Sequence, residues 1–236
     1  MIKEFLINNV PSLGLYKRYF RALYANWSKI KKTYSQHQED LFFLKELSEK
    51  GFNGENSKYI DIGSNHPSDI SNTYLLYRHG FKGILIEANC ELSRLCEKFR
   101  PNDIVLNIGA SKCSTVMDFY ISKTPVLSTF KQNDEYHNRR LYKKTRVPVM
   151  RVDEAVANYL DVAISLLSID VESLNLEVLE GCRGILNKTY LLCIEYDDIK
   201  EKNEYYNILK AYSFIEIDDN NCNVFYKNTK FQFNNR

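Results

Sequence analysis

Five short segments place chemically capable side chains at the ends of apolar runs. Asp61-Ile-Gly63-Ser64-Asn65-His66 follows Lys58-Tyr-Ile, and Glu87-Ala88-Asn89 follows Gly83-Ile-Leu-Ile. Asn107-Ile108-Gly109 follows Asp103-Ile-Val-Leu, Asp170-Val-Glu172 follows Ile164-Ser-Leu-Leu-Ser-Ile, and Glu195-Tyr-Asp197 follows Tyr190-Leu-Leu-Cys-Ile. Gly63 lets a ligand approach the backbone closely. Glu87 is spaced to accept both hydroxyls of a ribose. The diphosphate pattern G-x-G-x-x-G is missing, because Gly63 is followed by Ser64, Asn65, His66, Pro67 and Ser68. Clustered acids repel phosphates but suit a sulfonium and an ammonium group. The expectation is therefore S-adenosylmethionine rather than a nicotinamide dinucleotide.

The same acids offer a reaction centre. Asp170 and Glu172 are the first candidates for a general base and His66 is the runner-up. The Asp170/Glu172 pair could instead hold a divalent metal, although none is predicted. Each residue also has a structural reading. Gly63 can end a strand, Asp170 and Glu172 can cap a helix, and His66 can hydrogen-bond within its loop.

The elements that must position these groups alternate. Strands are expected over 58–63, 83–87, 103–109, 164–170 and 190–195, with helices over 71–79, 89–99, 174–182 and 201–211. Two further strands, 214–217 and 223–226, are joined by the hairpin-type turn Asp218-Asp-Asn-Asn221. Continuous apolar strands separated by helices predict an α/β, doubly wound, seven-stranded and mostly parallel sheet, closed by a C-terminal antiparallel hairpin. In such sheets ligands bind beyond the carboxyl ends of the strands. The stretch between 109 and 164 is less regular.

The 236 residues, 44% hydrophobic and 26% charged with a formal charge of +2, suit one globular domain and exclude a strongly acidic or histone-like basic chain. Six Cys without a C-x-x-C pair give neither a disulfide framework nor a zinc spacing. No apolar run reaches the roughly 20 residues of a membrane-spanning helix, and no secretory signal stands at the start. A cytoplasmic location is expected, with contact at the inner membrane face as a further option. That option comes from residues 1–34, where Lys3, Lys17, Arg18, Arg21, Lys29, Lys31 and Lys32 stand against the single acid Glu4. Residues 15–30 read as a basic amphipathic helix that either lies on an anionic membrane face or partner, or caps the domain with its apolar stripe. The expected division is a helical extension over 1–34 and a cofactor-binding domain over 35–236.

From Tyr34 to Lys227 the sequence resembles the FkbM-type S-adenosylmethionine-dependent methyltransferases. The likeness rests on Tyr34-Ser-Gln-His-Gln-Glu-Asp40, Tyr59-Ile-Asp-Ile-Gly-Ser-Asn-His-Pro67, Ser71-Asn-Thr73 and Gly80-Phe-Lys-Gly-Ile-Leu-Ile-Glu87. Arg100-Pro-Asn-Asp-Ile-Val-Leu-Asn107, Ser128-Thr-Phe130, Leu167-Ser-Ile-Asp-Val-Glu172 and Glu177-Val-Leu-Glu-Gly181 follow in the family order. The resemblance implies a class I (Rossmann-like) methyltransferase fold and methyl transfer to a hydroxyl. It implies that Asp61, Gly63, Ser64 and Asn65 hold the cofactor's amino-acid end and that Glu87 binds the ribose. Ala88 follows Glu87, Asn107 and Ile108 fall near the adenine, Asp170 near the methyl group, and Gln36 in the N-terminal motif beside cofactor or substrate. One departure stands out: after Asp-Val-Glu the family has Gly and, two residues on, an acid, where this chain has Ser173 and Asn175.

The acceptor implied by the resemblance is a sugar hydroxyl in a surface polysaccharide or a glycosylated metabolite. Lys131, Arg139, Arg140, Lys143, Lys144, Arg146 and Arg151, with Tyr136, His137 and Tyr142, suit a glycan bearing phosphate or carboxylate, or else form a solvated charged loop. No nucleic-acid partner is expected, since the remainder of the chain lacks a basic face. Two alternatives remain: a non-catalytic assembly module and a nicotinamide-dependent oxidoreductase.

Overall fold

The computed structural model describes residues 11–28, 30–124, 127–131 and 141–233. Seven strands form one sheet: β1 (Ser57–Ile62), β2 (Lys82–Ile86), β3 (Ile104–Leu106), β7 (Ala163–Ile169), β8 (Thr189–Glu195), β9 (Phe214–Asp219) and β10 (Asn223–Asn228). Their order is β3-β2-β1-β7-β8-β10-β9. The first five run parallel, and β10 enters antiparallel between β8 and β9. The order reverses between β1 and β7, so their carboxyl ends diverge around a crevice.

Burial on both faces explains the unbroken apolar strands. Ile60, Ile62, Ile84, Ile86, Leu167, Ile169, Leu192 and Ile194 pack into one core, and Tyr59, Leu85, Leu166, Leu191 and Cys193 into another. The covering helices include α1 (Pro11–Trp27), α2 (Glu39–Lys50), α3 (Tyr74–Arg78) and α4 (Cys90–Phe99). Further along the chain come α5 (Val152–Val156), α6 (Asn175–Gly181) and α7 (Ile199–Leu209). The main-sheet elements fall close to their expected places. The third strand is shorter than expected, ending at Leu106, and Gly109 begins a separate strand. Helix α2 falls where no element is expected, and Gly51, in a left-handed conformation, ends it.

The irregular stretch after 109 forms a second sheet. It comprises β4 (Gly109–Ser111), β5 (Thr115–Ser122) and β6 (Leu141–Arg151), in the order β4-β6-β5. Sequence patterning misses it because β6 carries Lys143, Lys144, Arg146 and Pro148 although it is the central strand. Phe119, Ile121 and Val147 give it a small core of its own, against which Ala88 and Phe130 pack. It thereby stands over the carboxyl end of β2.

Helix α1 starts four residues earlier than expected and ends at Trp27. Its inner face packs Ala22, Tyr19 and Leu23 on Leu92, Leu95 and Phe99 of α4. Ala25 packs on Tyr34, Tyr74 and Leu75. No described helix is long and apolar enough to cross a membrane.

Candidate active site

A cavity of about 300 Å³ opens at the carboxyl ends of β2, β1, β7 and β8, at the lower end of the roughly 300–1,000 Å³ of ligand pockets. Its apolar side is built by Ile86, Ala88, Leu92, Ile108, Phe119 and Phe130. Its polar side carries Gln36, Asn65, Glu87, Asp170, Glu172 and Glu195.

Gly63 is held by its neighbours. Its φ is +81°, and a Cβ there would lie 1.9 Å from the Asp170 carbonyl oxygen, so no other residue fits without moving the chain. The close approach follows from the β1–β7 pairing, in which the Asp170 amide donates to Ile62 O at 3.0 Å. The amides of Gly63 and Ser64 donate to Ile86 O, which binds the turn to β2.

Glu87 ends that second strand with both carboxylate oxygens engaged. The Asn65 amide donates to one at 2.7 Å and the Asn89 amide to the other at 2.6 Å. Burial nevertheless pushes its carboxyl up to about 7, against the pull of those two amides. Asn107 Nδ2 donates to the carbonyls of Glu87 and Ala88, bracing this strand end from outside the cavity. Ile108 lines the wall.

The other predicted residues are distributed differently. Asp61 is buried beneath the turn and accepts a hydrogen bond from Thr73 Oγ1. Ser64 is buried beside Cys96. Neither lines the cavity, because alternation along the strand and the turn at Gly63 aim both into the protein. His66 is also away from it: Nε2 lies 3.1 Å from Arg18 O, and Nδ1 accepts from the amides of Ser68 and Asp69. An Nδ1 that accepts leaves the proton on Nε2, and burial lowers the ring's proton affinity further. This imidazole is spent on holding α1 to the loop after β1.

The acids at the ends of β7 and β8 converge. Burial first, and then the Glu195 carboxylate, hold the Asp170 carboxyl well above the usual range. Asp170 faces the open cavity, yet protein atoms surround it on its other sides. The pair shares a hydrogen bond, with the protonated Asp170 donating to Glu195. Glu172 is pushed up to about 7 by burial, Glu195 and Asp197. Glu195 was visible in the sequence as a strand-end acid but not as a reaction-centre candidate, since its partner lies on another strand. Among the described residues, no three His, Cys, Asp or Glu side chains converge so as to hold a metal ion.

The family departure at 173 is accommodated. Ser173 sits at φ 68°, in the left-handed region a glycine adopts freely, at a cost of about 1–2 kcal/mol for a residue with a side chain. Lys131 Nζ donates to Ser173 O, and Thr129 Oγ1 donates to Glu172 O at 3.3 Å. Asn175 Oδ1 accepts from the Val171 amide at 3.0 Å, and its side chain also bonds Glu195. A fourth acid at 175, beside Asp170, Glu172 and Glu195, would have added repulsion to an already crowded group.

Of the basic cluster, Lys144 and Arg146 pair with Asp118 on the adjacent strand, and Arg151 pairs with Asp153. Tyr136, His137, Arg139 and Arg140 lie outside the described residues.

The crystal structure of a methyltransferase FkbM from Methylobacillus flagellatus has the same fold, with a TM-score of 0.50 and 14% identity over 75% of this chain. The match covers 44% of that protein, so this chain spans less than half of its length. An S-adenosylmethionine-dependent O-methyltransferase from Thermotoga maritima aligns with a TM-score of 0.47 and 11% identity, over 91% of this chain and 72% of its own. An rRNA methylase from Streptococcus thermophilus gives 0.47 and 13%, over 87% of this chain and all of its own. No curated protein matches the sequence significantly. The methyltransferase FkbM domain model matches residues 61–223, from the buried acid of β1 to the first residue of β10. By that match, over most of its length, this chain belongs to the FkbM methyltransferase family.

Proposed function

We propose that the protein is an S-adenosylmethionine-dependent O-methyltransferase whose acceptor is a sugar hydroxyl of a surface glycan or glycosylated metabolite. One observation carries this reading. A single cavity joins an apolar slot, a buried strand-end carboxylate at Glu87, and the acids Asp170 and Glu172, whose proton affinity is raised by burial and by the Glu195 carboxylate. Such acids fit a cationic ligand, since a positive charge nearby stabilises their ionised forms.

The residues present fit the cofactor. The slot of Ile86, Ala88, Ile108, Phe119 and Phe130 suits a flat adenine, Glu87 the ribose hydroxyls, and Gln36, Asn65 and Asp170 the ammonium and carboxylate end. Bound there, S-adenosylmethionine supplies a methyl carbon on a sulfonium. Positioning of the acceptor against that carbon contributes roughly 7–11 kcal/mol when well aligned. Glu172 takes the hydroxyl proton: its carboxyl, pushed up to about 7, is basic enough to accept it and still ionises near neutrality. Glu195 sets that basicity, and Asp170 holds Glu195 in place through their shared proton.

The test is calorimetric titration with S-adenosylmethionine, S-adenosylhomocysteine and NAD in buffers of different ionisation enthalpy. Near pH 7, S-adenosylmethionine is expected to bind with proton release, and to release more than the uncharged thioether. Glu87→Ala should weaken both sulfur ligands by about tenfold or more. Binding of NAD alone would remove the methyltransferase reading. Cofactor binding without turnover on a panel of glycans would leave a non-catalytic module.

A further inference from the structure

We propose that the outward face of α1 docks the protein on an anionic lipid bilayer. Lys17, Phe20, Tyr24 and Trp27 fall on one arc of the helix, opposite the buried Ala22. Phe20 is 57%, Tyr24 68% and Trp27 88% exposed, and Ile30 just beyond the helix is 46% exposed. Large aromatics at i, i+4 and i+7 on the inward face would be ordinary core. On the outward face they carry an unfavourable exposure that burial elsewhere would relieve.

Residue chemistry identifies the occupant. Tyr and Trp favour the headgroup region of a bilayer, where ring and polar tip are both satisfied. Lys17 flanks the aromatics, Lys31 and Lys32 follow them, and α1 itself contains no acid. A second copy of this face would bring like charges together, whereas anionic headgroups would neutralise them. The helix is also firmly mounted. Arg21 pairs with Asp69, Arg78 donates to the carbonyls of Ala25 and Ser28, and Asn26 bonds Tyr74 and Phe99 O. A mounted helix transmits docking to the whole domain.

The location ties docking to the site. Leu92 packs against α1 and also lines the cavity, and Ile70, next to the Arg21 partner Asp69, lines it too. Helix α1 therefore carries the docking face on one side and meets a residue of the cavity wall on the other. Docking itself requires neither cofactor nor acceptor, so its failure and that of the proposed function are separable.

Trp27 is the sole tryptophan of the chain, so its fluorescence reports the contact. The full chain would be titrated with phosphatidylcholine vesicles, with and without phosphatidylglycerol. Anionic vesicles are expected to shift Trp27 emission to the blue and to co-sediment the protein, with loss on adding salt. Tyr24→Ser with Ile30→Ser, and separately Lys17→Glu with Lys32→Glu, should each lower the partitioning about tenfold or more. These side chains are exposed, so circular dichroism and melting should be unchanged. An unshifted Trp27 with anionic vesicles, equal partitioning into neutral ones, or burial of Trp27 in a lipid-free dimer would each overturn the proposal.

Discussion

Glu195 shows how one carboxylate sets the chemistry of its neighbours. It accepts the Asp170 proton, bonds Asn175 and raises Glu172. Glu195→Gln removes a negative charge facing Glu172, so the Glu172 carboxyl should fall from about 7 toward the ordinary glutamate value of 4.5. If Glu172 acts as base, activity of the unsubstituted protein rises with pH through about 7 and levels off above it. In the variant that acid limb should move to lower pH, by about one unit, as read from kcat/KM against pH. An unmoved limb would show that Glu172 does not feel this charge. The sequence shows all these acids at strand ends. It does not show that Asp61 turns inward to Thr73 while Asp170 turns to Glu195, because side-chain direction at a strand end depends on the turn that follows.

At the scale of elements, one buried cation fastens several pieces together. Arg100, fully buried after α4, donates to Asp103, to the Tyr59 hydroxyl of β1 and to Thr73 Oγ1 before α3. Asp103 also accepts from the Gly83 amide of β2. Breaking such a pair leaves Asp61 and Asp103 buried without a counter-charge, at a cost of about 3–5 kcal/mol. Arg100→Met should therefore lower the melting temperature by about 10 °C or more, measured by calorimetry or circular dichroism. A drop under about 2 °C would mean that the network contributes little. The sequence carries Arg100 and Asp103 within one matched segment, but their link to Tyr59 and Thr73 crosses three elements. Elements with a plain period were legible, as β1, β2, β7 and β8 show. The lysine-rich and proline-bearing β6 was not, because its pairing on both sides outweighs a poor local pattern.

At the scale of the molecule, the site is destabilising near neutral pH. The Glu87 carboxyl is pushed up to about 7 in the fold against an ordinary value of 4.5, so the native state binds this proton more tightly than the unfolded chain does. Its contribution to stability is complete below about pH 4.5 and is lost as pH rises through about 7. The loss is on the order of 2 kcal/mol. Glu87→Gln cannot ionise, so its melting temperature relative to the unsubstituted protein should become more favourable between pH 5 and pH 8. The expected change is about 4–8 °C. A difference that stays flat with pH would show Glu87 ionising as freely in the fold as in the unfolded chain. A cationic ligand in the cavity should recover part of this loss, by binding only the native state.

Apolar runs broken at regular intervals, most of them ending in an acid or a glycine, determined the seven-stranded sheet and the edge at which the site lies. Both follow from local periodicity and chain order, which a sequence contains in full. Tertiary structure decided which acids meet. Asp170 and Glu195 come from adjacent strands, Glu87 from across the crevice, and His66 is drawn off to the Arg18 carbonyl of α1. It also decided which part of the α1 stripe caps the domain, packing Ala22 and Ala25 inward and leaving Phe20, Tyr24 and Trp27 exposed. Which face of a helix is buried depends on the surface it meets, here Leu92, Leu95 and Phe99 of a helix some seventy residues away along the chain.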